Sequence, residues 1–185
     1  MSQFDSNPLA KHFRQPAIYI KLPSNGKFWP DNTLDLPLTG EIPVMPMTTK
    51  DEILLRTPDA LMNGSGVVEV IQSCCPSIRD AFKMPVVDLD TILIAIRIAT
   101  YGKEMEFTAV CPHCTNKIEQ GIDLGVMMSK INPGDWSQPV RVQGMEITIK
   151  PQTFQNYNAN NISNFEEQRL IQIVGDQELS DEEKK

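Results

Sequence analysis

The sequence predicts an α+β fold: a small helical bundle around a buried central helix, flanked by short antiparallel β-hairpins, one of them tipped by a Cys-x-x-Cys knuckle. Three observations lead there. Residues 88–102, DLDTILIAIRIATYG, are apolar on almost every side, and a helix apolar all round is buried rather than amphipathic. The stretches before and after it alternate apolar and polar residues with period two, as half-buried strands do. Between two of the later alternating stretches stands Cys111-Pro112-His113-Cys114.

Residues 1–16 are polar and aperiodic, and read as a mobile arm. Ile18 and Ile20 then alternate with Tyr19 and Lys21. Asn25-Gly26 is a turn signal, since both residues tolerate positive φ. Leu34, Leu36 and Leu38 alternate again before Ile42 and Val44, so residues 17–46 read as two small hairpins. Pro23, Pro30, Pro37 and Pro43 cannot donate to a ladder, which confines these strands to edges. At Thr48 the period becomes helical. Thr48 with Asp51, or Thr49 with Glu52, makes a capping-box start. Pro58 interrupts that helix. A second begins near Ser65, placing Val67, Val70, Ile71, Cys74 and Cys75 on one broad face, and Pro76 ends it. With the central helix, these make a compact three-helix bundle.

In the central helix, Asp88 or Asp90 is the expected N-cap and Gly102 the expected left-handed C-cap. Ile94 and Ile96 are expected core residues. Arg97 is expected to snorkel or to bond a carboxylate, because an unpaired buried charge is costly. After Gly102, Met105, Phe107 and Ala109 share one strand face. Ile118, Gln120 and Ile122 alternate in the same way, giving a hairpin with cysteines at its tip. A turn of helix and a loop fill residues 125–139. A last hairpin turns at Gln143-Gly144, and a polar helix starts at Thr153 with Phe154, Tyr157, Phe165, Ile171 and Val174 on one side. The expected organisation is therefore an arm (1–16), a single α+β domain (17–150), a C-terminal helical extension (151–175) and an acidic disordered tail (176–185).

Composition narrows the function. Hydrophobic residues make up 41% and charged residues 22%, ordinary for a globular protein. A net charge of -7 and no Lys/Arg cluster argue against nucleic-acid binding. No apolar run reaches the roughly 18 residues of a membrane span. The first residues lack the apolar core of a signal peptide, so a cytoplasmic location is expected. No glycine-rich phosphate loop is present, and the two histidines, His12 and His113, are the sole imidazole bases.

The one motif with chemical content is Cys111 to Cys114. Thiolates at this spacing on a hairpin tip can share a zinc ion, but a structural site takes four ligands. Cys74 or Cys75, His113, or a carboxylate would have to complete it. Cys74 and Cys75 are adjacent, and on a helix they diverge by about 100°, so they are not expected to bind one ion together. The same tetrapeptide also suits a thiol-disulfide oxidoreductase, where a helix N-terminus acidifies the first thiol. Here the residues that follow alternate like a strand, and no βαβ unit precedes them. A tight turn carrying two reduced thiols is the third reading.

Several stretches taken in order, LPSNGKFWP, MPMTTKDEILLRTPDALMNG, VIQSCCPSI, PVVDLDTILIAIRIATYG and CPHC, resemble the T-even-type bacteriophage baseplate hub assembly protein family. The resemblance runs from about Ile18 to about Leu124. It implies a role in contractile-tail morphogenesis: helping the central hub form, as an assembly factor or a minor structural part. It implies phage baseplate hub proteins as partners, and a place in the host cytoplasm during assembly or in the tail baseplate of the virion. It implies no catalysis and assigns no catalytic residue. The family's CPxC falls on Cys111 to Cys114, with no second pair downstream.

Overall fold

The computed structural model describes residues 14–132, 134–135 and 138–175. Residues 1–13 of the expected arm and the whole expected acidic tail lie outside that set. The described chain runs β1 (Ile18–Lys21), β2 (Glu41–Val44), α1 (Thr49–Leu54), α2 (Pro58–Met62), α3 (Ser65–Cys74), a 3₁₀ turn (Ala81–Lys83), α4 (Val86–Tyr101), β3 (Glu104–Val110), β4 (Lys117–Asp123), α5 (Leu124–Lys130), β5 (Val140–Val142), β6 (Met145–Ile147) and α6 (Phe154–Gly175). Every sheet described is an antiparallel pair of strands. The α+β architecture expected from the sequence is thus present, with its central helix and cysteine-tipped hairpin.

Residues 17–46 make one hairpin where two were expected. β1 pairs with β2, setting Ile18 opposite Val44 and Ile20 opposite Ile42. Leu34 instead bridges Ile78, while Leu36 and Leu38 are exposed. The alternation of the three leucines was a poor guide because Pro37 lies among them, and proline cannot support a ladder. The Asn25-Gly26 turn does form, with φ of 52° and 74°. A Cβ on Gly26 would also stand 2.8 Å from Leu36 Cδ2, so this glycine answers both to conformation and to space.

Thr48 caps α1 through the expected capping box. Its hydroxyl accepts from the Asp51 N–H, and the Asp51 carboxylate accepts from the Thr48 N–H at 2.8 Å. That carboxylate is also the centre of a larger knot. It accepts from the Ser73 hydroxyl at 3.1 Å and pairs with Arg14 at 3.7 Å. Arg14 in turn donates to Ser73 O and Oγ, to Pro46 O and to Cys74 Sγ. Burial opposes the charge on Asp51. The Thr48 N–H, the Thr48 and Ser73 hydroxyls and Arg14 outweigh it, and hold the carboxyl below its usual range. The knot ties the last residues of the expected arm to α1, α3 and the exit of β2.

The central helix is buried as a stripe. Asp88, Thr91, Ile92, Ala95 and Ile96 are buried, the spacing of one helical face. Each isoleucine fully buried this way contributes about 1.5–3 kcal/mol. Ile94 is half-buried, and lines a groove with Met105, Ile122, Leu124 and Met127. The expected N-caps need correction. Pro85 is the N-cap, and Asp88 lies inside the first turn. The Asp88 carboxylate faces the β1–β2 loop and accepts from the Ser24 N–H at 2.8 Å, the Ser24 hydroxyl at 2.6 Å and Trp29 Nε1–H at 2.8 Å. Gly102 does end the helix, at φ 86° and ψ 174°; its positive φ suits glycine, but the conformation is not the left-handed helical one. Arg97 snorkels: it donates to Gly102 O at 3.3 Å and lies 4.6 Å from the Tyr101 ring centre.

α3 packs Val68, Val70, Ile71 and Cys74 into the core beside Ile20, Ile42, Val44, Ile78 and Met84. The start of α6 is sewn to the segment that enters α4. Pro85 and Thr153 form a bridge, Val86 N–H donates to Gln152 O, and Phe154 N–H donates to Met84 O. Phe154 is buried with its ring 6.4 Å from that of Phe82. Beyond that first turn the residues expected on its apolar side, Tyr157, Phe165, Ile171 and Val174, are all exposed, as is Leu170.

Ile96→Asp puts an unpaired charge among packed side chains, and is expected to leave the protein insoluble. Ile94→Asp, facing a groove, is expected to express and melt cooperatively with a lowered Tm. Equal behaviour of the two in a solubility and thermal-melt comparison would overturn this placement of the helix.

Asp88→Ala strands three donors, two of them buried, and is expected to cost about 3 kcal/mol in a urea titration. Burial, offset in part by its three donors, raises the Asp88 carboxyl above the ordinary 3.8. A folded pKa above the unfolded one gives a contribution that is complete below about pH 3.8 and declines as pH rises through the folded pKa. The stability gap between wild type and Asp88→Asn is therefore expected to shrink over that interval. A gap that stays constant or widens there contradicts the assignment.

Candidate functional site

The β3–β4 hairpin carries the motif singled out in the sequence. Its register runs from Glu104 opposite Asp123 to Val110 opposite Lys117. Opposed pairs put Met105 with Ile122, Phe107 with Gln120 and Ala109 with Ile118 on one face. The base is fixed: Leu124 N–H donates to Lys103 O at 2.8 Å, and Lys103 Nζ pairs with Asp123 Oδ2 at 3.5 Å. Asp123 also caps α5, accepting from the N–H groups of Gly125 and Val126. Burial works against its charge, but these donors and Lys103 hold its carboxyl below the usual range.

At the far end, Cys111 N–H donates to Asn116 O at 3.0 Å and Thr115 N–H to Cys111 O at 2.9 Å. Thr115 is left-handed, at φ 55°. This closes a tight turn that sets the backbone N–H groups of Cys114 and His113 near the Cys111 sulfur. They hold its thiol below the ordinary range, helped by contact with the Cys114 thiol. The structure therefore brings Cys111 and Cys114 together. It joins neither Cys74 nor His113 to them: among the described residues no three His, Cys, Asp or Glu side chains converge on one point. Cys74 ends α3 inside the core and accepts from Arg14. Burial pushes its thiol up to about 11 and that of Cys75 up to about 12. The tip is strand, turn, strand, so Cys111 has no helix N-terminus behind it of the kind a thiol oxidoreductase uses.

Two further surfaces were not legible as sites. On the β5–β6 hairpin, Val140 lies opposite Ile147 and Val142 opposite Met145, and all four are exposed. Its other face carries the Arg141–Glu146 pair, at 2.6 Å. On α6, Leu170, Ile171 and Val174 stand on one side at spacings of one, three and four, uncovered. Such uncovered apolar faces on a folded chain are the mark of interaction surfaces. The signal was present in the alternation of β5 and β6, but alternation says which residues share a face and not whether anything in the same chain covers it.

The sequence matches the model of the family described as T4 bacteriophage base plate protein over residues 16–182, nearly the whole chain. The chain belongs to that family. No curated protein and no solved structure matches it. A T4-type baseplate protein works among other baseplate proteins of the phage tail, and the uncovered faces of this one accord with that. Among its described residues no helix is long and apolar enough to cross a membrane.

A thiol reagent separates the two kinds of cysteine in this baseplate protein. Cys111 and Cys114 are expected to react within the dead time of native-state labelling, whereas Cys74 and Cys75 react only on unfolding in denaturant. Four thiols reacting at one rate would contradict the buried placement of the α3 pair.

Proposed function

We propose that this baseplate protein acts without catalysis in building the central hub of the baseplate, as an assembly factor or minor structural part that meets hub proteins in the host cytoplasm. The observation that carries the reading is the uncovered apolar surface: the β5–β6 face and the distal half of α6 project from a core that is already complete. A bundle that buries its own centre yet leaves two apolar faces in water is built to be covered by another protein. Family membership supplies the class of partner. The two fixed polar contacts, Asp88 with the β1–β2 loop and Asp51 with Arg14, serve the scaffold that presents those faces.

Co-expression with the phage's hub proteins, followed by size-exclusion chromatography, tests the reading. Co-elution with a hub protein, or a clear gain in that protein's solubility, is the expected result. Val142→Asp with Met145→Asp, or Leu170→Asp with Ile171→Asp, is expected to weaken that association at least tenfold while leaving the melt of the isolated chain within about 0.5 kcal/mol, since the altered side chains are already exposed. Association that persists with both surfaces altered would rule them out as the contact.

A further inference from the structure

We propose that the hairpin tips of two copies of this chain meet across a two-fold axis and bind one zinc ion through four thiolates, Cys111 and Cys114 from each copy. The local geometry is that of half a zinc site. A tight turn, closed by the Cys111 N–H on Asn116 O at 3.0 Å and the Thr115 N–H on Cys111 O at 2.9 Å, holds two cysteines close together at the end of the hairpin. The left-handed Thr115 closes the turn behind them and leaves the pair facing outward.

What the tip lacks is its other half. A structural zinc ion takes four ligands in a tetrahedron. Among the described residues no third ligand joins the pair. The other two cysteines of the chain are enclosed in the core. A second identical tip supplies what is missing with no further residue type, because a two-fold axis through the ion takes the same pair from each copy.

The hairpin is shaped for that encounter. Seven residues of strand carry the tip about 23 Å from its base, at about 3.3 Å per residue. The strands are exposed along almost their whole length, so two tips can approach without their bundles colliding. Phe107 and Ile118 on one face and Val110 beside Cys111 on the other are exposed apolar side chains that a paired hairpin would cover. Lys117, the register partner of Val110, adds a positive charge to the last pair of each hairpin. Four thiolates around one zinc ion carry a net charge of about -2, and a lysine on the last pair of each hairpin lowers the cost of gathering it there.

The full-length protein, purified without chelator in zinc-supplemented medium, is measured for metal content and for mass by light scattering. The expected result is about half a zinc ion per chain in a dimer, following from four ligands at two per copy. A chelator is expected to remove the zinc and return monomer with its circular dichroism spectrum and cooperative melt retained. Cys111→Ser and Cys114→Ser are each expected to yield folded, zinc-free monomer. Cobalt in place of zinc adds a readout of its own, the charge-transfer and d–d absorption of a tetrahedral all-thiolate site. One zinc ion in each monomer, a dimer that survives both the chelator and the serine variants, or zinc-free protein would each overturn the proposal. None of these outcomes bears on the hub association, which is measured through β5–β6 and α6.

Discussion

Asp88 is the contact on which the arrangement of the bundle depends. A carboxylate inside the first turn of α4 is costly to bury alone. It is tolerated because a single loop sends it three donors, two from Ser24 and one from Trp29. The dependence runs both ways. The loop between β1 and β2 contains three non-glycine residues at positive φ, Asn25, Phe28 and Asn32, and such a path persists only when something fixes it. The helix fixes the loop, the loop fixes the relation of β1 to β2, and Ile20, Ile42 and Val44 are thereby laid against α3 and α4.

The second polar contact does the same at the other end of the bundle. Arg14 and Asp51 meet where the segment before β1, the exit of β2, the start of α1 and the end of α3 converge. Met47 N–H donates to Thr100 Oγ1 close by, which brings in the last turn of α4. Two buried carboxylates thus bracket the central helix, one near each end. Asp88 is addressed by groups some sixty residues away, and Asp51 adds Ser73 and Arg14 to its local bonds with Thr48, so both favour this packing over near alternatives. The apolar core supplies the driving force for collapse; these contacts select the arrangement.

How much of this was legible in the sequence follows from what pattern can encode. The helices were legible because their signals are local: the capping box at Thr48, Pro58 as a break in the first helical stretch, and Gly102 at a helix end. The cysteine-tipped hairpin was legible because its two strands alternate and sit on either side of one turn. The β1–β2 region misled, since the proximity of Leu34 to Ile78 is a tertiary fact that no local period contains. Asp88 misled for the same reason: an aspartate at a helix start usually caps it, and the donors that claimed this one lie about sixty residues earlier. At the candidate site, the pairing of Cys111 with Cys114 could be read from spacing. The confinement of Cys74 in the core could not, because the helical face that holds it is broad enough to point several ways.

The stitching of α6 onto the segment before α4 has a consequence for how the molecule comes into being. Phe154 fills the core beside Phe82, and the backbone of residues 152–154 bonds to that of residues 84–86. The core is therefore left open on the ribosome until Phe154 has been synthesised, and the central helix must wait, partly unclad, while the residues from Gly102 to Phe154 are added. A chain that exposes so apolar a rod while nascent has reason to finish in the company of chaperones, before it takes up any place in a growing tail.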